Sequence, residues 1–299
     1  MLSIGVTLVA YLLFSMWGGW QQVIDTVGRI GIWGVLAALL MSILNYAMRF
    51  FRWQWYLKIL GHRLPWQQHL KIYLAGFAFT TTPGKAGEAL RSLLLKPLGI
   101  PHASSLAAFL SERLSDLLAV VLLALFGLYR YPAAQPLILI GLGLVATCYT
   151  PLIYPRLLKR LQVATSRLKG KAALINKAVG VMFLAQRCHR PLSIAFCTAL
   201  GLFAWLAEAV AFFWILQWAG IDTSLNFAVF VYAVAMLAGA ISFMPGGLGG
   251  SEAAMVALLV WQGASTADAI ATTLIIRLTT LWFATFLGLC ALMKTKYSL

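Results

Sequence analysis

Apolar residues run along this chain in long unbroken blocks, not in the alternation of strands or the one-sided stripes of soluble helices. Blocks at roughly 1–18, 30–50, 102–129, 133–153, 192–219 and 267–293 are adequate or marginally short for a helix through a hydrocarbon core. Such a core is about 30 Å thick and takes about 20 helical residues. Two further stretches break this mould. His69–Thr82 runs into Pro83-Gly84, and Ser251–Gly263 follows the run from Pro245 to Gly250. A helix of about 14 residues reaches only about 21 Å. Short apolar helices broken by Pro-Gly predict re-entrant hairpins, whose exposed backbone is tolerated only inside protein or a wet cavity. The expected fold class is an all-α polytopic membrane protein of about six spanning helices plus two opposed re-entrant hairpins. Residues 1–299 read as a single transmembrane domain. Met1–Trp17 lacks a basic start and a small-residue cleavage site, so it is expected to remain as the first span.

Composition supports lipid as the solvent. Of the 299 residues 62% are hydrophobic and 10% charged, with a mean hydropathy of +0.87. A soluble domain keeps about 25% charged residues for its water-facing shell. A separate soluble catalytic domain is thereby excluded. The net charge of +15 would suggest nucleic acid in a soluble protein, but here the basic residues lie between apolar blocks and follow the positive-inside rule. The connection 155–190 carries nine Lys/Arg and no acid, and Lys294 and Lys296 end the chain, so both are expected in the cytoplasm. Arg49, Arg52, Lys58, Arg63 and Lys71 place the second connection on the same side. The first hairpin (66–99) then opens inward and the second (226–264) outward, with Arg29 and Arg130 facing out and both termini inside. The 155–190 segment is basic and amphipathic, fit to lie on an anionic leaflet.

The two hairpin regions resemble each other. W-Y-L-K-I-L-G (Trp55–Gly61) matches W-I-L-Q-W-A-G (Trp214–Gly220), the two Pro-Gly-Glu tips match, and E-R-L-S-D-L-L (Glu112–Leu118) matches I-R-L-T-T-L-W (Ile276–Trp282). The offset between matched positions grows from 159 residues at Trp55 and Trp214 to 162 at Pro83 and Pro245, and to 164 at Arg113 and Arg277. Repeat 1 spans about 30–130 and repeat 2 about 192–293. Entry from opposite sides makes this an inverted-topology repeat, a design common in transporters.

The tips bring candidate chemistry: Pro83, Gly84, Lys85 and Glu88 with nearby Arg91 in the first, and Pro245, Gly246, Gly247, Gly249, Gly250, Ser251 and Glu252 in the second. Each precedes a short helix whose amides and dipole favour an anion such as lipid phosphate; equally, Glu88 and Glu252 suit the first turn of a helix after a mere sharp turn. Arg113 and Arg277 fall near mid-span, where an arginine costs about 2.5–3.5 kcal/mol unless it faces protein or water. They suit a phosphate headgroup bidentately, or structural pairs of Arg113 with Asp116 and of Arg277 with Glu208 or Glu252. Glu112 and Asp116 share a helical face; their repulsion would let one hold a proton. Glu208, aligned with Arg49 in the first repeat, needs a partner or a substrate amine. The four cysteines and four histidines show no C-x-x-C or H-E-x-x-H spacing, so neither metal nor cofactor is expected.

These tips and the E-R-L-S-D stretch resemble the transmembrane region of lysylphosphatidylglycerol synthases and the stand-alone bacterial inner-membrane proteins grouped with it. The resemblance covers nearly the whole chain. In bifunctional relatives this region flips aminoacylated phosphatidylglycerol beside a soluble synthase domain. No such domain is expected within these 299 residues, so aminoacyl transfer is not carried over. The resemblance implies a flippase for an anionic or zwitterionic phospholipid, or for a polyprenyl-phosphate lipid, in the cell inner membrane. A homo-oligomer and an envelope-lipid synthase partner are compatible with it. The main alternative is an intramembrane enzyme using Glu88, Glu112 or Asp116. Against that reading, the sequence lacks a nucleophile triad, a metal cluster or a nucleotide loop, and a non-enzymatic role is expected. A non-transporting scaffold is the third alternative.

Overall fold

A computed structural model describes residues 20–81, 89, 91–128, 131, 134–166, 173–242 and 244–296. The expected first span and the tip residues Pro83, Gly84, Lys85 and Glu88 lie outside these residues. The described chain is all-helical. In order it forms α1 (Trp20–Ile59), α2 (Trp66–Gly76) continued by a 3-10 turn at Phe77–Phe79, α3 (Arg91–Leu95) and α4 (His102–Leu128). Then come α5 (Gln135–Ile153), α6 (Pro155–Ser166), α7 (Ala173–Gln186), α8 (Pro191–Trp218), α9 (Leu225–Ile241) and α10 (Gly250–Trp261). The last, α11 (Thr266–Arg277), passes through a π-helical turn at Leu278–Trp282 into α12 (Phe283–Lys296).

Four of these stretches are long and apolar enough to cross a membrane: Trp20–Ile59, Gln135–Ile153, Pro191–Trp218 and Thr266–Lys294. Their outer faces keep Trp33, Leu40, Phe203 and Phe286 exposed, as helices solvated by lipid should. This is a multi-pass membrane protein. α4 has the length, 27 residues, but carries Glu112, Arg113 and Asp116 in its middle. The limbs of the α9–α10 hairpin, 17 and 12 residues, reach only about 25 and 18 Å.

One expectation is corrected. The second apolar block was expected to end near residue 50, leaving Arg49 and Arg52 at the start of a cytoplasmic connection. Instead α1 continues to Ile59, and both arginines are buried inside the protein. Their charge does not end the helix because carboxylates on α4 meet it. At its other end α1 is broken at Gly31, whose φ of 62° and ψ of −179° are non-helical; only glycine takes such a backbone cheaply.

Helix ends repeat between the halves. α1 closes with Gly61 at φ 90° and α8 with Gly220 at φ 81°. His62 N–H donates to Leu57 O and Gly61 N–H to Lys58 O; Ile221 N–H donates to Leu216 O and Gly220 N–H to Gln217 O. The same left-handed cap thus recurs 159 residues later. α1 and α8 cross antiparallel through small residues, Gly34 against Trp218 and Gly201 against Arg52, and Asn45 Nδ2 donates to Ala204 O at 2.8 Å. Further packing is crossed between the halves: α2 lies against α12, and α4 against α9.

The α2–α12 contact has no slack. A Cβ on Gly288 would fall 2.1 Å from Ala78 N and 2.4 Å from Phe77 C, both backbone atoms. Although alanine is the better helix former, Gly288→Ala is expected to lower stability by about 1–3 kcal/mol through overpacking. Thermal unfolding in detergent checks this, and a raised midpoint would show that α12 stands off from α2.

Candidate functional site

The first cluster is ionic and buried. On α4, Glu112 and Asp116 sit one turn apart. Asp116 Oδ1 accepts from Arg52 at 2.5 Å and from Trp205 Nε1 at 3.2 Å, while Asp116 Oδ2 lies 3.1 Å from Arg113 and 3.5 Å from Arg49. Glu112 Oε2 accepts from Arg91 at 2.8 Å, and Glu112 Oε1 accepts from the Tyr73 hydroxyl at 3.1 Å. Arg113 and Arg49 lie 3.6 and 3.9 Å from Glu112 Oε1. Arg91 is also enclosed by aromatic rings, its Cζ 4.2 Å from the Trp53 centroid and 5.0 Å from that of Tyr73. The expected repulsion between the two carboxylates is therefore relieved by guanidiniums on α1, α3 and α4. Neither acid is placed as a proton carrier, since protonating it would strip several arginines of a counter-ion.

The second cluster is the loop between α9 and α10. Gly246, Gly247 and Gly249 take φ of 63°, 71° and 83°, conformations only glycine adopts without strain. Gly239 on α9 lets the loop close in: a Cβ there would fall 2.1 Å from Ser251 Oγ. Glu252 Oε2 accepts from Gly249 N–H at 2.7 Å. Glu252 Oε1 lies 2.7 Å from Arg277 Nε, and Arg277 Nη2 donates to Gly246 O at 2.8 Å. The expected pair of Arg277 with Glu252 is thus present, as is that of Arg113 with Asp116. In this second loop the N–H groups of Gly247, Leu248 and Ser251 donate within the loop, and that of Gly249 is taken by Glu252.

Between the two clusters lies a cavity of about 40 Å³. A buried water needs about 10–15 Å³ on this scale, so two or three fit and a lipid headgroup does not. Its walls pair residues of the two halves at an offset of 159: Tyr46 with Trp205, Arg49 with Glu208, and Phe77 with Met236. Arg277, Thr280 and Tyr232 complete it, and the Tyr232 hydroxyl donates to Glu208 Oε2 at 2.6 Å. Thr280 O, in the π turn after Arg277, accepts from the Tyr46 hydroxyl at 2.6 Å. The counterpart of that bond, shifting Tyr46 by 159 and Thr280 by 164 in the repeat register, is Trp205 to Asp116, and it is present.

A wider polar recess of about 390 Å³ opens at the far end of α1, where Arg29 and Thr26 both bond Asp268 and Ser265 caps α11. Of the expected site residues, the structure brings Arg91, Glu112, Arg113 and Asp116 into one cluster and Gly246, Gly249, Glu252 and Arg277 into another, with Glu208 between them. Pro245, Gly250 and Ser251 shape the second loop without lining the cavity. Arg49, Arg52, Tyr46, Tyr232 and Trp205 were missed; the alignment of Glu208 with Arg49 was the signal that pointed to them. Cys188, in the turn before α8, is buried, which pushes its thiol up to about 12, so it is inert packing. Among the described residues no cluster of His, Cys, Asp and Glu forms a metal site.

Comparison with known sequences agrees with this architecture. A profile described as the lysylphosphatidylglycerol synthase TM region matches residues 1–288. A UPF0104 membrane protein of Methanothermobacter thermautotrophicus is 26% identical over 306 residues, covering 95% of this chain and 90% of that protein. The chain belongs to the lysylphosphatidylglycerol synthase transmembrane-region family.

Proposed function

We propose that this protein moves a phosphate-bearing lipid between the leaflets of the cell inner membrane, as a non-enzymatic flippase. The observation that carries the reading is the small, water-sized cavity walled by equivalent residues of both halves, with Arg49 and Arg277 facing into it. Two halves inserted in opposite senses would meet at such a place. The crossed pair of hydrogen bonds and the repeated helix caps support that inverted arrangement, and the short limbs of α9 and α10 support a re-entrant second hairpin. Both termini then lie in the cytoplasm. Guanidiniums bind phosphate bidentately and need no metal. Phosphatidylglycerol, phosphatidylethanolamine and polyprenyl phosphate share the group they would grip. The cavity is too small for any of them, so helices must part toward one leaflet at a time for a headgroup to enter.

Reconstitution into vesicles carrying headgroup-fluorescent lipids tests this by chemical bleaching of the outer leaflet. The protein is expected to speed exchange of at least one phosphate-bearing lipid well above protein-free vesicles, and Arg49→Gln to return it toward that baseline. Exchange no faster than in empty vesicles for all three lipid types would remove the proposal.

A further inference from the structure

We infer that Glu208 is a proton-binding site that makes lipid and proton travel together, in the same direction, through the central cavity. This rests on the translocation reading above. Glu208 lies ten residues before the end of α8 at Trp218, about 15 Å along the helix, which is half the thickness of a hydrocarbon core. Among the described residues it is the carboxylate that lines the cavity, where waters fit beside it. Facing it are Tyr46 and Arg49 from α1, Tyr232 from α9 and Arg277 from α11, while α4 contributes Asp116 just behind Trp205.

The decisive point is how the neighbouring charges are distributed. Arg49 already lies 3.5 Å from Asp116 and 3.9 Å from Glu112, and Arg277 lies 2.7 Å from Glu252. A proton on Glu208 therefore leaves neither arginine without a carboxylate. A proton on Asp116, Glu112 or Glu252 would break an ion pair that is otherwise fully buried, at a steep cost. Tyr232 can turn from donor to acceptor as Glu208 changes state. Glu208 is thus the acid in this site that can titrate without dismantling it.

The sign of the coupling follows. An ionised Glu208 repels an anionic headgroup and competes for Arg49 and Arg277. Protonation removes that charge and strengthens phosphate binding, and by linkage a bound phosphate strengthens proton binding equally. Proton and anionic lipid then occupy the cavity together and leave together. With one proton per lipid, a step of one pH unit drives the lipid ratio between leaflets toward about tenfold.

The test uses the full chain in vesicles holding fluorescent phosphatidylglycerol, with the outside more acidic, the inside more acidic, or no gradient. The wild type is expected to accelerate lipid entry when the outside is acidic and lipid exit when the inside is acidic. Glu208→Gln, fixed in the neutral state, is expected to move lipid at one rate in all three. Should Glu208→Gln fail to fold, an interior pH dye reports on the wild type alone, which is expected to acidify the lumen only while phosphatidylglycerol is moving inward. Lipid movement by the wild type at equal rates in all three conditions, or without lumenal acidification, overturns the proton site and leaves translocation standing. No lipid movement in any condition overturns both.

Discussion

Asp116→Ala is expected to leave little folded protein, because this one carboxylate serves three arginines at once. Arg52, with no exposed surface, holds it at 2.5 Å, and Arg113 and Arg49 lie 3.1 and 3.5 Å away. Removing one member of a buried pair costs about 3–5 kcal/mol, because the remaining charge is stranded in a medium that cannot solvate it. Total stabilities are about 5–15 kcal/mol, so the loss takes a large share. Replacing both partners with apolar groups of similar volume is often neutral. Arg52→Met with Asp116→Leu should therefore recover much of the folded yield that Asp116→Ala loses. Size-exclusion profiles and thermal unfolding in detergent measure both variants. A singly substituted protein as stable as the wild type would mean that the cluster is solvated and not closed.

The second large effect is at Arg277. Through Glu252 and the Gly246 carbonyl it fastens the end of α11 to the glycine loop, and it also faces the cavity. Arg277→Gln alone would take from Glu252 the guanidinium at 2.7 Å, so a loss of transport from that variant has two explanations. The double variant Arg277→Gln with Glu252→Gln separates them, since the pair becomes a neutral one able to hydrogen-bond. It is expected to unfold near the wild-type temperature yet exchange lipid at the rate of protein-free vesicles, at least tenfold slower, a deficit of about 1.4 kcal/mol or more in barrier height. Arg277→Lys keeps the charge without the planar fork and should fall between. Normal exchange by the double variant would reduce Arg277 to a structural fastening.

What could be read from the sequence was whatever is written locally. Pro245 through Glu252 announces a tight turn before a helix, and an arginine at position 277 inside an apolar block announces a buried partner. The fate of Arg49 and Arg52 was not legible, because their charge is met by Glu112 and Asp116, 64 residues beyond Arg52, and a window on α1 sees only two basic residues closing an apolar run. The aromatic residues were hidden for a related reason. Tyr46, Trp205 and Tyr232 look like membrane-interface anchors, and only packing reveals that their polar tips point inward to Thr280, Asp116 and Glu208. Nor does the glycine pattern announce that Glu252 and the loop's own carbonyls take the amides of Gly247, Leu248, Gly249 and Ser251.

The ionic cluster on α4 also bears on how the chain is made. Arg49, Arg52, Arg91, Glu112, Arg113 and Asp116 are all synthesised before the connection at 155–190 emerges, so they can neutralise one another while the remainder is still on the ribosome. Arg277 and Glu252 likewise belong together in the later portion. Three of the hydrogen bonds that wait for the two portions to meet are uncharged on at least one side, Asn45 on Ala204, Tyr46 on Thr280 and Trp205 on Asp116; the charged pair that also waits, Arg29 with Asp268, lies partly exposed at the far end of α1. Each of the two buried ionic clusters can therefore close electrically within its own portion, and the central cavity, walled from both, comes into being only at their docking.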